Sequence, residues 1–272
     1  MTTGKRPRTV LLPLLLLTIV SGLGPCVSDA LAATIAGQFS FRDNRSSNPA
    51  GAVAGDVIAV GATNITPSGA GTTVQAVQGT TTLNVLFLPS TVFPDNYFRA
   101  IPFDPQLTGS WTLTATDGTG SVSVPTNAIP NPELIPLVNN LQVSGTLLTP
   151  HLSWVLPDLT GLGVTRIFIR VRDLDNFING VSDTIFSSAN LPATATAFDV
   201  PTNVLKPNKH YSFDVLLDNI VTPPMGAAFL QNRSETFTDV YSTTPEPSTL
   251  LSLGSGLGGL MGFVWRRRRR TQ

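Results

Sequence analysis

Apolar and polar residues alternate with a period of two along several short stretches of the chain. Leu152, Trp154 and Leu156 are spaced by Ser153 and Val155, the pattern of a strand with one side turned to a core. In the run 166–172, Ile167, Ile169 and Val171 point one way, while Arg166, Phe168, Arg170 and Arg172 point the other. Tyr211, Phe213, Val215 and Leu217 read as inward, against Ser212, Asp214 and Asp218 outward. In the first half, Trp111, Leu113 and Ala115 alternate with threonines, and residues 57–60 and 83–87 supply further strands. Turn residues separate these runs, and between residues 33 and 244 no capped stretch repeats every 3.6 residues. The pattern predicts an all-β fold. Pro125, Pro130, Pro132 and Pro136 crowd a short stretch that neither helices nor central strands tolerate. That density places a boundary near Ala128 and predicts two β-sandwich modules, residues 33–128 and 129–244.

Both ends read differently from the middle. Lys5, Arg6 and Arg8 precede an apolar run over residues 10–20, and Ala30 and Ala32 offer the small side chains that a signal peptidase reads. Residues 1–32 are therefore expected to be a signal peptide, cut after Ala32. Cys26, the only cysteine, falls inside it, so residues 33–244 have no thiol or disulfide chemistry. At the other end, Pro245, Glu246 and Pro247 are followed by a Gly-rich apolar stretch, 248–265, and then by Arg266, Arg267, Arg268, Arg269 and Arg270. As a helix that stretch is about 27 Å long, close to the ~30 Å thickness of bilayer hydrocarbon. Basic residues stay on the cytoplasmic side. A precursor with both ends inside and its body outside follows.

The order Pro-Glu-Pro, hydrophobic helix, arginine cluster resembles the PEP-CTERM sorting signal of Gram-negative bacteria. The resemblance covers about the last 27 residues. It implies that residues 245–272 are a substrate of exosortase, a membrane protease that cuts near the Pro-Glu-Pro, and that the protein is associated with exopolysaccharide or biofilm. An uncleaved single-span anchor is the alternative. The run Leu205-Lys206-Pro207-Asn208-Lys209-His210-Tyr211 resembles the fibronectin type III pattern before a late strand. That resemblance implies a tyrosine corner in which the Tyr211 hydroxyl reaches upstream backbone, with Leu205 and Pro207 as companions and Trp154 as the core tryptophan. Residues 109–118 resemble a strand and turn of bacterial Ig-like modules. The implied architecture is two Ig-like or fibronectin III-like sandwiches between a signal peptide and a sorting helix.

Charge and candidate chemistry narrow the function. The chain has 17 basic and 17 acidic residues, but residues 33–244 hold nine basic against fifteen acidic, net −6. Such a body repels nucleic acid, anionic lipid and acidic sugars unless its few arginines cluster. With two histidines and no HExxH, GxSxG or cysteine ligand set, neither a catalytic group nor a cofactor is expected. A hydrolase built around His151 or His210 stays as a rival. Asp173, Asp175, Asn176 and Asp183 offer hard oxygens to Ca²⁺, although Phe177 and Gly180 break the EF-hand order, and solvated loop acids are the plainer reading. Arg166, Phe168, Arg170 and Arg172 form an outward stripe that suits a sugar-facing surface or merely solubilises an exposed strand. The resulting expectation is a non-enzymatic structural or adhesive protein of the cell surface or matrix. A carbohydrate-binding module is the alternative. Its partners would be signal peptidase, an exosortase-like protease and exopolysaccharide.

Overall fold

Backbone ladders occupy most of the computed structural model, which describes residues 33–48, 53–69, 71–129, 133–223 and 227–244. The signal peptide and sorting helix expected from the sequence lie outside the described residues. The first half contributes β1 (Thr34–Asn48), β2 (Val53–Thr66), β3 (Thr73–Gln78), β4 (Thr81–Phe87), β5 (Tyr97–Pro102), β6 (Thr112–Thr116) and β7 (Ser121–Pro125). The second contributes β8 (Asn139–Thr146), β9 (Thr149–Val155), β10 (Arg166–Ile178), β11 (Val181–Ser187), β12 (Ala197–Asp199), β13 (His210–Val221), β14 (Phe229–Thr238) and β15 (Tyr241–Ser242). The one helical turn among the described residues is a 3₁₀ turn at Pro105–Leu107. The fold is all-β.

One large sheet runs β11-β10-β13-β14-β1-β2-β5-β4-β3-β6-β7, with β15 added against β13. β4 meets β5 through only two residue pairs, Leu86–Phe98 and Phe87–Tyr97, and otherwise pairs with β3. At that handover the sheet doubles back on itself. Ile58 and Val60 of β2 thus pack with Val74 and Ala76 of β3 and with Trp111 and Leu113, forming a first core. A separate sheet, β12-β9-β8, covers the other end. There Leu152 and Trp154 meet Ile167, Ile169 and Val171 of β10 and Phe213, Val215 and Leu217 of β13 in a second core. The period-two pattern places each of these side chains inward, because successive residues of a strand alternate between faces.

Between the two cores lies a polar strip. β1 pairs in parallel with β14, Arg42 opposite Asn232 through Asn48 opposite Thr238, so one ladder joins residues from both sides of Ala128. On the core side of these strands stand Ser40, Asn44, Asn232, Ser234 and Thr236 rather than aliphatic groups. The Pro-rich segment crosses over them and supplies what they lack. Ser40 Oγ donates to the Asn127 carbonyl, Asn44 Nδ2 to that of Ile135 (3.0 Å), Asn232 Nδ2 to that of Glu133 (2.8 Å) and Ser234 Oγ to that of Pro136 (2.9 Å). Val138 N donates to Thr236 Oγ1 at 3.1 Å. Buried polar groups are tolerated when each is hydrogen-bonded, and here the crossing segment does that work. Ile129 belongs to the first core and Ile135 to the second.

Candidate functional site

The opposite face of β10, β13, β14 and β1 is charged. Register sets Arg166, Asp218, Arg233 and Asp43 in one row across the four strands, and Phe168, Leu216, Glu235 and Arg45 in the next. Asp218 accepts from Arg166 Nε (3.0 Å) and Nη2 (2.8 Å) and from Arg233 Nε (2.8 Å). Asp43 accepts from Arg45 Nε at 2.6 Å. Asp214 accepts from Arg172 Nε at 2.6 Å and lies 3.3 Å from Arg170 Nε. Glu235 pairs with Arg170 Nη2 at 2.6 Å and with Arg172. All four carboxylates are fully buried, whereas the arginine side chains keep between 12% and 32% of their surface open.

Burying a carboxylate is costly unless partners compensate. Burial pushes Asp43 and Asp214 above the usual aspartate value, against the opposing pull of Arg45 and Arg172. Burial pushes Glu235 up as well, but four guanidinium groups around it, led by Arg170 and Arg172, outweigh that and hold it well below the glutamate range. The same burial lowers Arg170, while the carboxylates beside Arg172 and Arg233 overcome it and raise both.

Above this layer the surface is concave. A hollow of about 380 Å³ is walled by Arg45, Arg166, Arg170 and Arg233, by the rings of Phe39, Phe41, Phe93, Phe98 and Phe168, and by small polar groups including Asn96, Asn190, Ser187 and Ser188. A second hollow of about 120 Å³ adjoins it, sharing Arg45, Phe93, Asn96, Phe98 and Arg170 and adding Arg172. No carboxylate lines either one. The guanidinium of Arg45 lies 5.4 Å from the Phe98 centroid, and that of Arg233 lies 5.0 Å from Phe41 and 5.1 Å from Phe168. The loop 88–96 forms one wall and is tied across to β11. Thr91 donates from both its N and Oγ1 to Asp183 at 2.7 Å, and Val92 N donates to the Thr184 carbonyl at 3.1 Å.

The four residues of the stripe are thus together, on the side away from the core, but they are not a free surface. Phe168 is buried and the three arginines are largely covered and ion-paired, so the reading of them as solubilising groups on an exposed strand is corrected. Likewise Asp214 and Asp218, read as outward, are fully buried. Arg45, Arg233, Phe39, Phe41 and Phe98 were missed. Their only signal was the concentration of arginine and phenylalanine in an otherwise charge-poor sequence.

The calcium candidates occupy a hairpin rather than a loop. β10 runs on to Ile178 and turns at Asn179 and Gly180, both with positive φ, into β11. Asp183 is buried on Thr91 and accepts from Asn176 Nδ2 (3.0 Å). Asp173 accepts from Lys209 Nζ (3.3 Å), and Asp175 takes His210 N (2.8 Å) and pairs with His210 Nδ1 (2.9 Å). Among the described residues no group of three or more His, Cys, Asp or Glu is arranged to hold a metal ion. His151 Nδ1 meets Asp199 Oδ1 at 2.6 Å, and Ser144 stands opposite His151 in the ladder. Its hydroxyl, however, donates to the His151 carbonyl (3.4 Å). The Tyr211 hydroxyl accepts from Lys206 N at 2.9 Å, Leu205 is buried in the second core, Pro207 stands in the exposed turn, and Trp154 Nε1 donates to the Ala195 carbonyl at 2.9 Å.

Residues 243–269 match the model of the PEP-CTERM protein-sorting motif. The chain carries a PEP-CTERM sorting signal. PEP-CTERM signals mark exported proteins that are held transiently in the membrane and processed by exosortase-like machinery. No curated protein matches the chain. Among solved structures, this chain is similar to the titin domains A168–A170 at 12% identity, covering 79% of this chain and 67% of that one with a TM-score of 0.28. It is also similar to a chain of a cytokine receptor complex at 17% identity, covering 71% and 94% with a TM-score of 0.26. Among the described residues no helix is long and apolar enough to cross a membrane.

Proposed function

We propose that this is a non-enzymatic structural or adhesive protein of a Gram-negative cell surface or extracellular matrix, released or transferred there after exosortase processing. The sorting motif at residues 243–269, attached to an all-β body, carries the reading. Each histidine ring pairs with an aspartate through Nδ1, and the Ser144 hydroxyl donates to the His151 carbonyl. Fractionation of the native host, with and without its sorting peptidase, tests the proposal. Extracellular material should have an intact mass beginning at Ala33 and ending near Pro245. Recovery outside the cell of a species that keeps Arg266–Arg270 would refute processing.

A second reading is favoured by the hollow on the charged face: contact with a polysaccharide of that matrix. Flat rings flanked by hydrogen-bonding side chains in a concavity of this size suit a sugar unit. Retardation of the protein in gels containing polysaccharide, lost with Phe168→Ala, is the expected sign.

A further inference from the structure

Residues 33–244 carry a net charge of −6, yet four of their seven arginines line the larger hollow and a fifth, Arg172, lines the adjoining one. The carboxylates that pair with them lie underneath, fully buried, and contribute nothing to the wall. The layer is therefore polarised, with anions on the floor and arginine side chains lining the opening. Arg45, Arg166, Arg170, Arg172 and Arg233 face Asp43, Asp214, Asp218 and Glu235, so one positive charge is unmatched when all nine are ionised. Arg170, which borders both hollows, is also the least satisfied. Its Nε and Nη2 are ion-paired but have no aligned hydrogen-bond acceptor.

Building on the polysaccharide reading, we infer that the hollow selects an acidic sugar: a uronate unit of a carboxylated polysaccharide. Three features match this ligand. One excess positive charge suits one carboxylate, and the guanidinium groups, whose Nε edges are held by the carboxylates beneath, have further Nη N–H groups to offer its oxygens. The exposed ring of Phe93 and the half-buried rings of Phe39 and Phe98 offer apolar faces to the C–H side of a pyranose, and Asn96, Asn190 and Ser187 can meet its hydroxyls. The adjoining hollow extends the site past a single ring, as a polymer requires. The buried carboxylates hold the guanidinium groups in place before the ligand arrives, so little side-chain ordering remains to oppose binding.

Affinity electrophoresis of the full-length chain in nonionic detergent tests the inference, with gels containing polygalacturonate, fully methyl-esterified polygalacturonate or dextran sulfate. Retardation by polygalacturonate is expected, weakening as salt is added, with little retardation by the ester. Arg166→Gln should weaken it on the order of tenfold, as for loss of one charge-assisted contact. Asp218 keeps Arg233 in that variant, so the fold retains its pairing. Phe93→Ala lies outside the ionic layer and should also weaken retardation, with an unchanged melting temperature showing that the fold is intact. Equal retardation by acid and ester would leave the polysaccharide reading standing and overturn the charge selectivity. No retardation in either would overturn both. Retardation by dextran sulfate equal to that by polygalacturonate, and indifferent to Phe93→Ala, would show generic attraction of polyanions and overturn the inference.

Discussion

Glu235 sits between Arg170 and Arg172, with Arg45 3.7 Å away, and is itself almost wholly buried. Removing one member of such a network strands the others' charges, so Glu235→Gln is expected to cost about 3–5 kcal/mol, measurable by urea denaturation. A cost under about 1 kcal/mol would mean the pairs behave like exposed surface bridges. The pH dependence has two opposed parts. Glu235, held low, stabilises the fold in full above the ordinary value of 4.5, and that contribution fades as the pH falls below it. Asp43 and Asp214, raised above 3.8, favour the fold when protonated, so their contribution is complete below 3.8 and is lost as the pH rises through their folded values. The melting temperature should therefore hold or climb on mild acidification, then drop in stronger acid. Asp214→Asn should remove part of the climb, and a steady fall from neutral pH downward would contradict the assignment. None of this was legible from residue types. Alternation put Asp214 and Asp218 on the non-core face, but it could not show that the face was covered.

At the level of elements, the strands that pack aliphatic side chains were the readable ones. β9, the Arg166–Arg172 part of β10, β13 and β6 announce themselves by period two, because one face is apolar and the other polar. β1 and β14 do not. Their sequences, such as Arg42-Asp43-Asn44-Arg45 and Gln231-Asn232-Arg233-Ser234, are polar on both faces, since one side meets the Pro-rich crossing segment and the other the ionic layer. Partners distant in sequence bury them, and a local pattern carries no trace of those partners. The hairpin 173–183 was read as a loop for a related reason: its acids bind Lys209, His210 and Thr91, all remote along the chain. The loop 88–96 is likewise anchored from afar. Asp183→Ala should free it from β11, and hydrogen exchange at residues 88–96 should quicken on the order of tenfold or more, with β13 amides unchanged. Equal acceleration throughout would indicate global destabilisation instead.

For the whole molecule, the shared ladder between β1 and β14 sets the cooperativity. Two cores usually permit two transitions, but here the central strands of the large sheet belong to both halves, and the crossing segment is bonded to each. Calorimetry of residues 33–244 within the exported protein should give one endotherm, with van't Hoff and calorimetric enthalpies in agreement. Two resolved endotherms would show that the ladder does not couple the halves.

The parallel pairing of β1 with β14 also constrains timing. A ribosome delivers Thr34 about two hundred residues ahead of Thr238, so the earliest strand of the body must wait, one flank bare, for almost the last one. A chain halted anywhere before Phe229 leaves that flank open to a neighbour's strand, and misassembly between copies becomes the penalty for interruption.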